Sequence, residues 1–95
     1  MDSLDWCLRD AQHTLLRRFD DEIMVFNPHT WATHLVNESV ACVLETLRHG
    51  PRDSGQLVDA LREAGMEDDA ARIAELLGPL LEELQALGLI RRIEH

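Results

Sequence analysis

Positive charge is scarce in this 95-residue chain: nine Lys and Arg stand against eighteen Asp and Glu, a formal charge of -9. Proteins gain affinity for phosphate backbones by setting cations against them and releasing counterions, so this balance argues against a nucleic-acid partner. Cysteine is nearly absent. Cys7 and Cys42 are too few and too far apart for a zinc knuckle or a redox pair. No apolar run approaches the roughly 18 residues of a membrane span, and Asp2 and Asp5 stand where a secretion signal would place basic residues before an apolar block. The expected setting is cytoplasmic, with no membrane partner. Also missing are a Gly-rich phosphate loop, a Ser-centred elbow and a paired-carboxylate constellation, so no catalytic residue is assigned and an enzyme is not expected. His29 and His34 are five apart on a loop and a strand, a spacing that imposes no ligand geometry, and neither a metal nor a cofactor is expected.

The apolar content of 45% with a mean hydropathy of -0.19 fits one soluble domain over residues 1–95. A chain of this length buries only roughly 60–70% of the surface its unfolded form exposes, so the core is thin. Residues 2–12 hold Trp6 and Leu8 among polar neighbours and are expected as an N-terminal arm, residues 1–12, that packs Trp6 on the body.

From His13 to Phe19, Leu15 and Phe19 share one strand face with Arg17 between them, while Leu16 lies on the other. Asp20-Asp21 is a turn signal, and Glu22-Ile23-Met24-Val25-Phe26 is β-branched and aromatic enough for a second strand. Asn27-Pro28 stops it. Thr33-His34-Leu35-Val36 re-enters as a third strand, making an antiparallel meander, and Asn37 offers a side-chain oxygen to cap a helix starting just after it.

After Asn37 the spacing changes to that of a helix. Val36, Val40, Val43, Leu44 and Leu47 form one stripe that Gly50-Pro51 ends. Ser54 is read as the cap of a second helix carrying Leu57, Val58 and Leu61, with Gly65 as its left-handed terminus. Glu67-Asp68-Asp69 open a third, whose seam is Ile73, Leu77, Leu80, Leu84 and Leu87, with Leu76 on one shoulder and Leu81 and Ala74 on the other. Gly78-Pro79 is expected to kink this helix, because Pro79 lacks the amide that would bond the Glu75 carbonyl. Gly88 closes it, and Leu89 to Ile93 form an extended tail.

The fold class is therefore α+β: a three-stranded antiparallel sheet followed by three helices. This order, with Trp6, the acidic turn before Ile23-Met24-Val25-Phe26-Asn27-Pro28, the Thr33-His34-Leu35 run and the Ala86-Leu87-Gly88-Leu89-Ile90 ending, resembles the PqqD family. Members of that family are small winged-helix-like peptide chaperones, also called RiPP recognition elements, so the resemblance implies a winged-helix-like α+β fold, and the likeness is greatest to those of HPr-kinase-related systems. The resemblance implies a non-catalytic domain that holds the leader of a precursor peptide by strand addition and presents it to a modifying enzyme. It also implies a groove between the third strand and the third helix. Thr33, His34, Leu35 and Val36 would supply the backbone pairing, and Ile73, Leu76 and Leu80 would line the wall.

Two other readings are carried. A winged-helix DNA-binding regulator would put Glu67, Asp68 and Asp69 near phosphates, which is electrostatically unfavourable. A structural subunit would form a homodimer through Trp31 or the helical seam. Trp31 is either folded onto the core or exposed as an interface anchor, and Leu76 is open between the same two roles.

Overall fold

The strands divide into two sheets, one joining distant parts of the chain and the other built from three consecutive strands. In the computed structural model, which describes residues 4–94, the chain forms β1 (Leu4–Leu8), β2 (Leu15–Phe19), β3 (Glu22–Asn27), β4 (Ala32–Val36), α1 (Glu38–Leu47), β5 (Arg52–Asp53), α2 (Ser54–Glu63), α3 (Ala70–Ala86) and β6 (Ile90–Glu94). One antiparallel sheet has the order β5-β1-β6 and the other β2-β3-β4.

The second sheet is the expected meander. Asp20, at φ 51°, makes the tight turn between β2 and β3, a left-handed position that Asp tolerates better than most residues. Ile23, Val25 and Asn27 are buried on its inner face, and pairing places Leu16, His34 and Val36 on the same side. Arg18 reaches from β2 to α1, donating to Glu38 at 2.8 Å and Glu45 at 3.2 Å, and these two carboxylates hold the guanidinium pKa above its usual value.

The first sheet corrects the N-terminal arm. Residues 4–8 are a strand at the centre of a sheet, not an arm; the start of the arm, residues 1–3, lies outside the described residues. The tail pairs with it over five residues, Trp6 opposite Arg92 and Leu8 opposite Ile90. Trp6 is buried, and the Arg92 guanidinium lies 4.7 Å from its ring centroid, a cation–π contact. This sheet packs against the helices, β1 on α1 and α2, β6 on α3.

Caps set the helix limits. Asn37 Oδ1 accepts from the Val40 amide, as expected. The second helix is capped one residue earlier than expected, by Asp53: its carboxylate accepts from the Gln56 amide, and the Gln56 side chain accepts from the Asp53 amide. The third begins at its cap Asp69, so Glu67 and Asp68 precede it. At Gly65 and Gly88, with φ of 108° and 81°, the chain ends α2 and α3 with paired bonds: Met66 N to Leu61 O with Gly65 N to Arg62 O, and Leu89 N to Leu84 O with Gly88 N to Gln85 O. Pro79 sits inside α3, which runs through it to Ala86.

The core joins Trp6 and Leu8 to Val25, the inward residues of all three helices, and Leu89 and Ile90. On α3 the buried stripe is Ile73, Leu77, Leu81 and Leu84. Leu81 thus takes the core place expected for Leu80, which is half-buried at the core margin with Leu87.

Candidate functional site

Every strand has two edges, and the sequence of a strand decides whether a free edge can receive another peptide. In the order β2-β3-β4, β4 pairs with β3 and, among the described residues, with no other strand. The same holds for the outer edge of β2, which carries Arg17 and Arg18, and for β6, which carries Arg91 and Arg92. Charged side chains blunt an edge against pairing. β4 reads Ala-Thr-His-Leu-Val, with no Lys, Arg, Asp or Glu, so it alone of these three is an unguarded edge. The C-terminal tail pairs with β1 and leaves this edge uncovered by it.

Thr33, His34, Leu35 and Val36 all lie on β4, which begins one residue before them at Ala32. Ala32, His34 and Val36 are half-buried and face inward; Thr33 and Leu35 are exposed and face outward, Leu35 at 67%. The Asn37 cap then turns the chain into α1, so the edge stops where the helix starts.

The third helix presents its candidates unequally. Leu76 is 44% exposed and Leu80 half-buried. Ile73 is 0% exposed. It packs in the core and offers no surface to a guest, which corrects its expected place in the groove wall. Leu81 rather than Leu80 completes the buried stripe, so the helix is rotated to leave Leu76 and Leu80 outward of it. Val36 from β4 and Leu80 from α3 pack on the same core, and the Asn27 side chain fixes the end of β3 to the end of α3, donating to the Leu87 carbonyl at 2.7 Å.

The sequence leaves Trp31 open between core and interface, and the structure settles its environment. It is 80% exposed, meeting Phe26 edge-on with ring centroids 6.0 Å apart. Its backbone is left-handed, φ 62°, held by its amide donating to the Asn27 carbonyl while the His29 amide donates to Asn27 Oδ1. A left-handed conformation costs a bulky residue on the order of 1–2 kcal/mol, and an exposed side chain recovers little of that through burial.

The remaining chemistry is sparse. A cleft of about 630 Å³ between α1 and α2 contains Cys42, Glu38, Glu45 and His49. Burial pushes the Cys42 thiol pKa up, and the two glutamates add to the shift, so this cysteine is the opposite of an activated nucleophile. Among the described residues, no three His, Cys, Asp or Glu side chains gather as metal ligands would. No helix there is long and apolar enough to cross a membrane.

The comparisons with known proteins bear on this edge. The family described as coenzyme PQQ synthesis protein D (PqqD) matches residues 22–90, from the start of β3 to the start of β6. The chain belongs to the PqqD family. The matched region contains β4 and α3 and excludes β1 and β2. No curated protein matches the chain. Among solved structures, TbiB1 in complex with the TbiA(beta) leader peptide has the same fold, with a TM-score of 0.71 over 90% of this chain and 94% of that one, at 21% identity. This member of the family thus has a mixed α+β fold with two small antiparallel sheets and three helices among the described residues.

Proposed function

We propose that this protein is a non-catalytic peptide chaperone, a single-domain RiPP recognition element that binds the leader segment of a precursor peptide and presents it to a modifying enzyme. The observation that carries the reading is the unguarded edge of β4. An extended segment would pair with it as a fourth strand, through the backbone of Thr33 to Val36, with Leu76 and Leu80 as apolar contacts on α3. Membership of the PqqD family supports this, as does the leader peptide held by TbiB1. Within the family, the likeness of Ile23 to Pro28 and of Thr33 to Leu35 points to the chaperones of HPr-kinase-related systems, and a cytoplasmic setting goes with the same reading.

Backbone pairing is not sufficient by itself. About four strand-addition bonds at roughly 0.5–1.5 kcal/mol net each barely meet the roughly 4–15 kcal/mol lost in association. Side chains must supply the remainder, so the leader carries bulky apolar residues at alternating positions. A host with a charge of -9 also favours Lys or Arg in the leader, which speeds encounter.

The test is a titration of isotope-labelled protein with the leader of its precursor, monitored by amide chemical shifts. Shifts centred on Ala32 to Val36 and on Leu76 support the reading; an unchanged spectrum there removes it. A pair of variants adds a backbone check. Successive amides of an edge strand point alternately to its neighbour and to solvent, so of His34→Pro and Leu35→Pro one breaks the ladder to β3 and the other removes only an edge donor. The variant that keeps the wild-type circular dichroism is expected to lose leader binding.

A further inference from the structure

Strand addition uses the edge of β4 and its inward side, and leaves the outward side of the same sheet unexplained. Of the large apolar side chains exposed among the described residues, Leu15, Phe19, Trp31 and Leu35 belong to this sheet or its turn, and pairing puts Met24 and Phe26 on the same outward side. Alternation in a guest strand has a direct consequence here. A strand bonded to β4 lies about 4.8 Å from it, and every second side chain points outward, beside Thr33 and Leu35.

We propose that the guest strand is read from both sides, its outward positions being selected for bulky apolar or aromatic side chains by Leu35 and Trp31 over Phe26. The proposal rests on the strand-addition reading and adds a second set of specificity contacts to it. Three observations carry it. Leu35 is exposed in mid-strand on an edge that has no charge to repel an apolar neighbour. Trp31 is held at the start of the same strand, in a left-handed conformation that a bulky residue adopts at a cost, with most of its ring in water. Between the two, Thr33 opens onto a hollow of about 420 Å³ floored by Met24 and Phe26. The charged residues on this side of the sheet are Arg17 on β2 and Glu22 at the start of β3, so the uncharged part is the run from Trp31 to Leu35 with Met24 and Phe26 beside it.

The occupant is the guest strand, rather than a second copy of the chain, because of charge. An isologous pair would bring two bodies of formal charge -9 together and would cover the charged Arg17 and Glu22 of each copy on the joined face.

A displayed library of random linear peptides, selected on the full chain, tests this. The variants are Leu35→Thr, which keeps a strand-forming residue, and Trp31→Gly, which suits a positive φ; Trp31→Asn serves as a second variant at that position. Wild type is expected to enrich peptides with apolar residues at both parities. Leu35→Thr is expected to keep the wild-type melting temperature and Trp31→Gly to keep or raise it, since Gly removes the cost of the left-handed backbone. Both are expected to lose enrichment at one parity only and to bind the wild-type winners roughly five-fold more weakly, the scale of one or two cross-strand contacts. Enrichment at a single parity that the variants leave unchanged overturns the proposal while sparing strand addition. No enrichment, with no amide shift at Ala32 to Val36, removes both. A wild-type dimer that Trp31→Gly dissociates, seen by sedimentation, gives the face to a second copy and overturns the proposal.

Discussion

The Asn27 side chain donates to the Leu87 carbonyl at 2.7 Å, joining the last residue of β3 to the cap of α3 across sixty positions of sequence. Asn27 is fully buried, and its other side-chain atom accepts from the His29 amide, so both ends of the amide are used. This one group holds the turn that carries Trp31 and sets the end of α3 against the sheet whose edge is the candidate site.

Asn27→Ala is therefore expected to destabilise the fold by about 1–3 kcal/mol, since it leaves a helix-terminal carbonyl without its partner. Asn27→Asp keeps the shape but replaces the donor with a carboxylate facing the Leu87 carbonyl, and is expected to cost more. Urea midpoints of the three proteins measure this. A loss for Asn27→Ala no larger than that of an exposed substitution would show that the bond does not tie sheet to helix.

The meander, the Asn37 cap and the glycine ends of α2 and α3 are legible in the sequence because each is a local device. Their signals, alternation, an Asn before an apolar stripe, a Gly after one, sit within a few residues of what they specify. β1 is not legible in this way. Leu4, Trp6 and Leu8 do alternate, but five residues cannot be told from an arm until their partners are known, and those are Arg52 and Asp53 in mid-chain and Ile90 to Glu94 at its end. The edge at Thr33 to Val36 can be found, since it comes from strand order. Ile73 lies in the seam that the spacing gives, and it is the resemblance that assigns it to the groove wall. Leu80 stands in that seam in place of Leu81 because an apolar pattern fixes that a stripe exists, and packing decides which of two adjacent identical residues it includes.

The cap of α2 offers a second prediction. Asp53-Ser54-Gly55-Gln56 has the spacing of a capping box, and both reciprocal bonds form, Gln56 N to Asp53 Oδ1 at 2.8 Å and Asp53 N to Gln56 Oε1 at 2.9 Å. Asp53→Ala is expected to lose about 0.5–2 kcal/mol, and Ser54→Ala, inside the first turn, much less. Thermal melts of the two variants rank them; the reverse order would return the cap to Ser54.

Within α3, Gly78 and Pro79 are both poor helix residues at exposed positions. A Cβ at Gly78 would meet nothing within 4 Å, so Gly78→Ala adds helix propensity without a clash and is expected to stabilise by about 0.5–1 kcal/mol. Pro79→Ala restores the amide that can bond the Glu75 carbonyl and is expected to gain more, about 1–3 kcal/mol. Both gains are read from denaturant midpoints. If the pair instead sets a bend that leader binding needs, the stabilised variants bind the leader more weakly, and the same samples reveal it.

The Cys42 thiol gives the pH dependence. Burial raises its pKa above the ordinary thiol value, the charges of Glu45 and Glu38 add to the shift, and Thr46 partly opposes it. For an acid whose folded pKa is raised, the unfolded chain loses its proton first as pH increases. Fewer protons on the unfolded state mean that stability falls with pH. The loss begins in the ordinary thiol range and is complete once pH passes the raised folded value; below that range the site contributes no slope. Two measurements check this. In a Cys7→Ser background, alkylation of Cys42 near pH 8 is expected to be slower than that of a free thiol and to reach the free rate in urea, because only the thiolate reacts. Over the alkaline limb, Cys42→Ser is expected to flatten the decline of the urea midpoint, and a decline equally steep in both proteins would assign it to other groups.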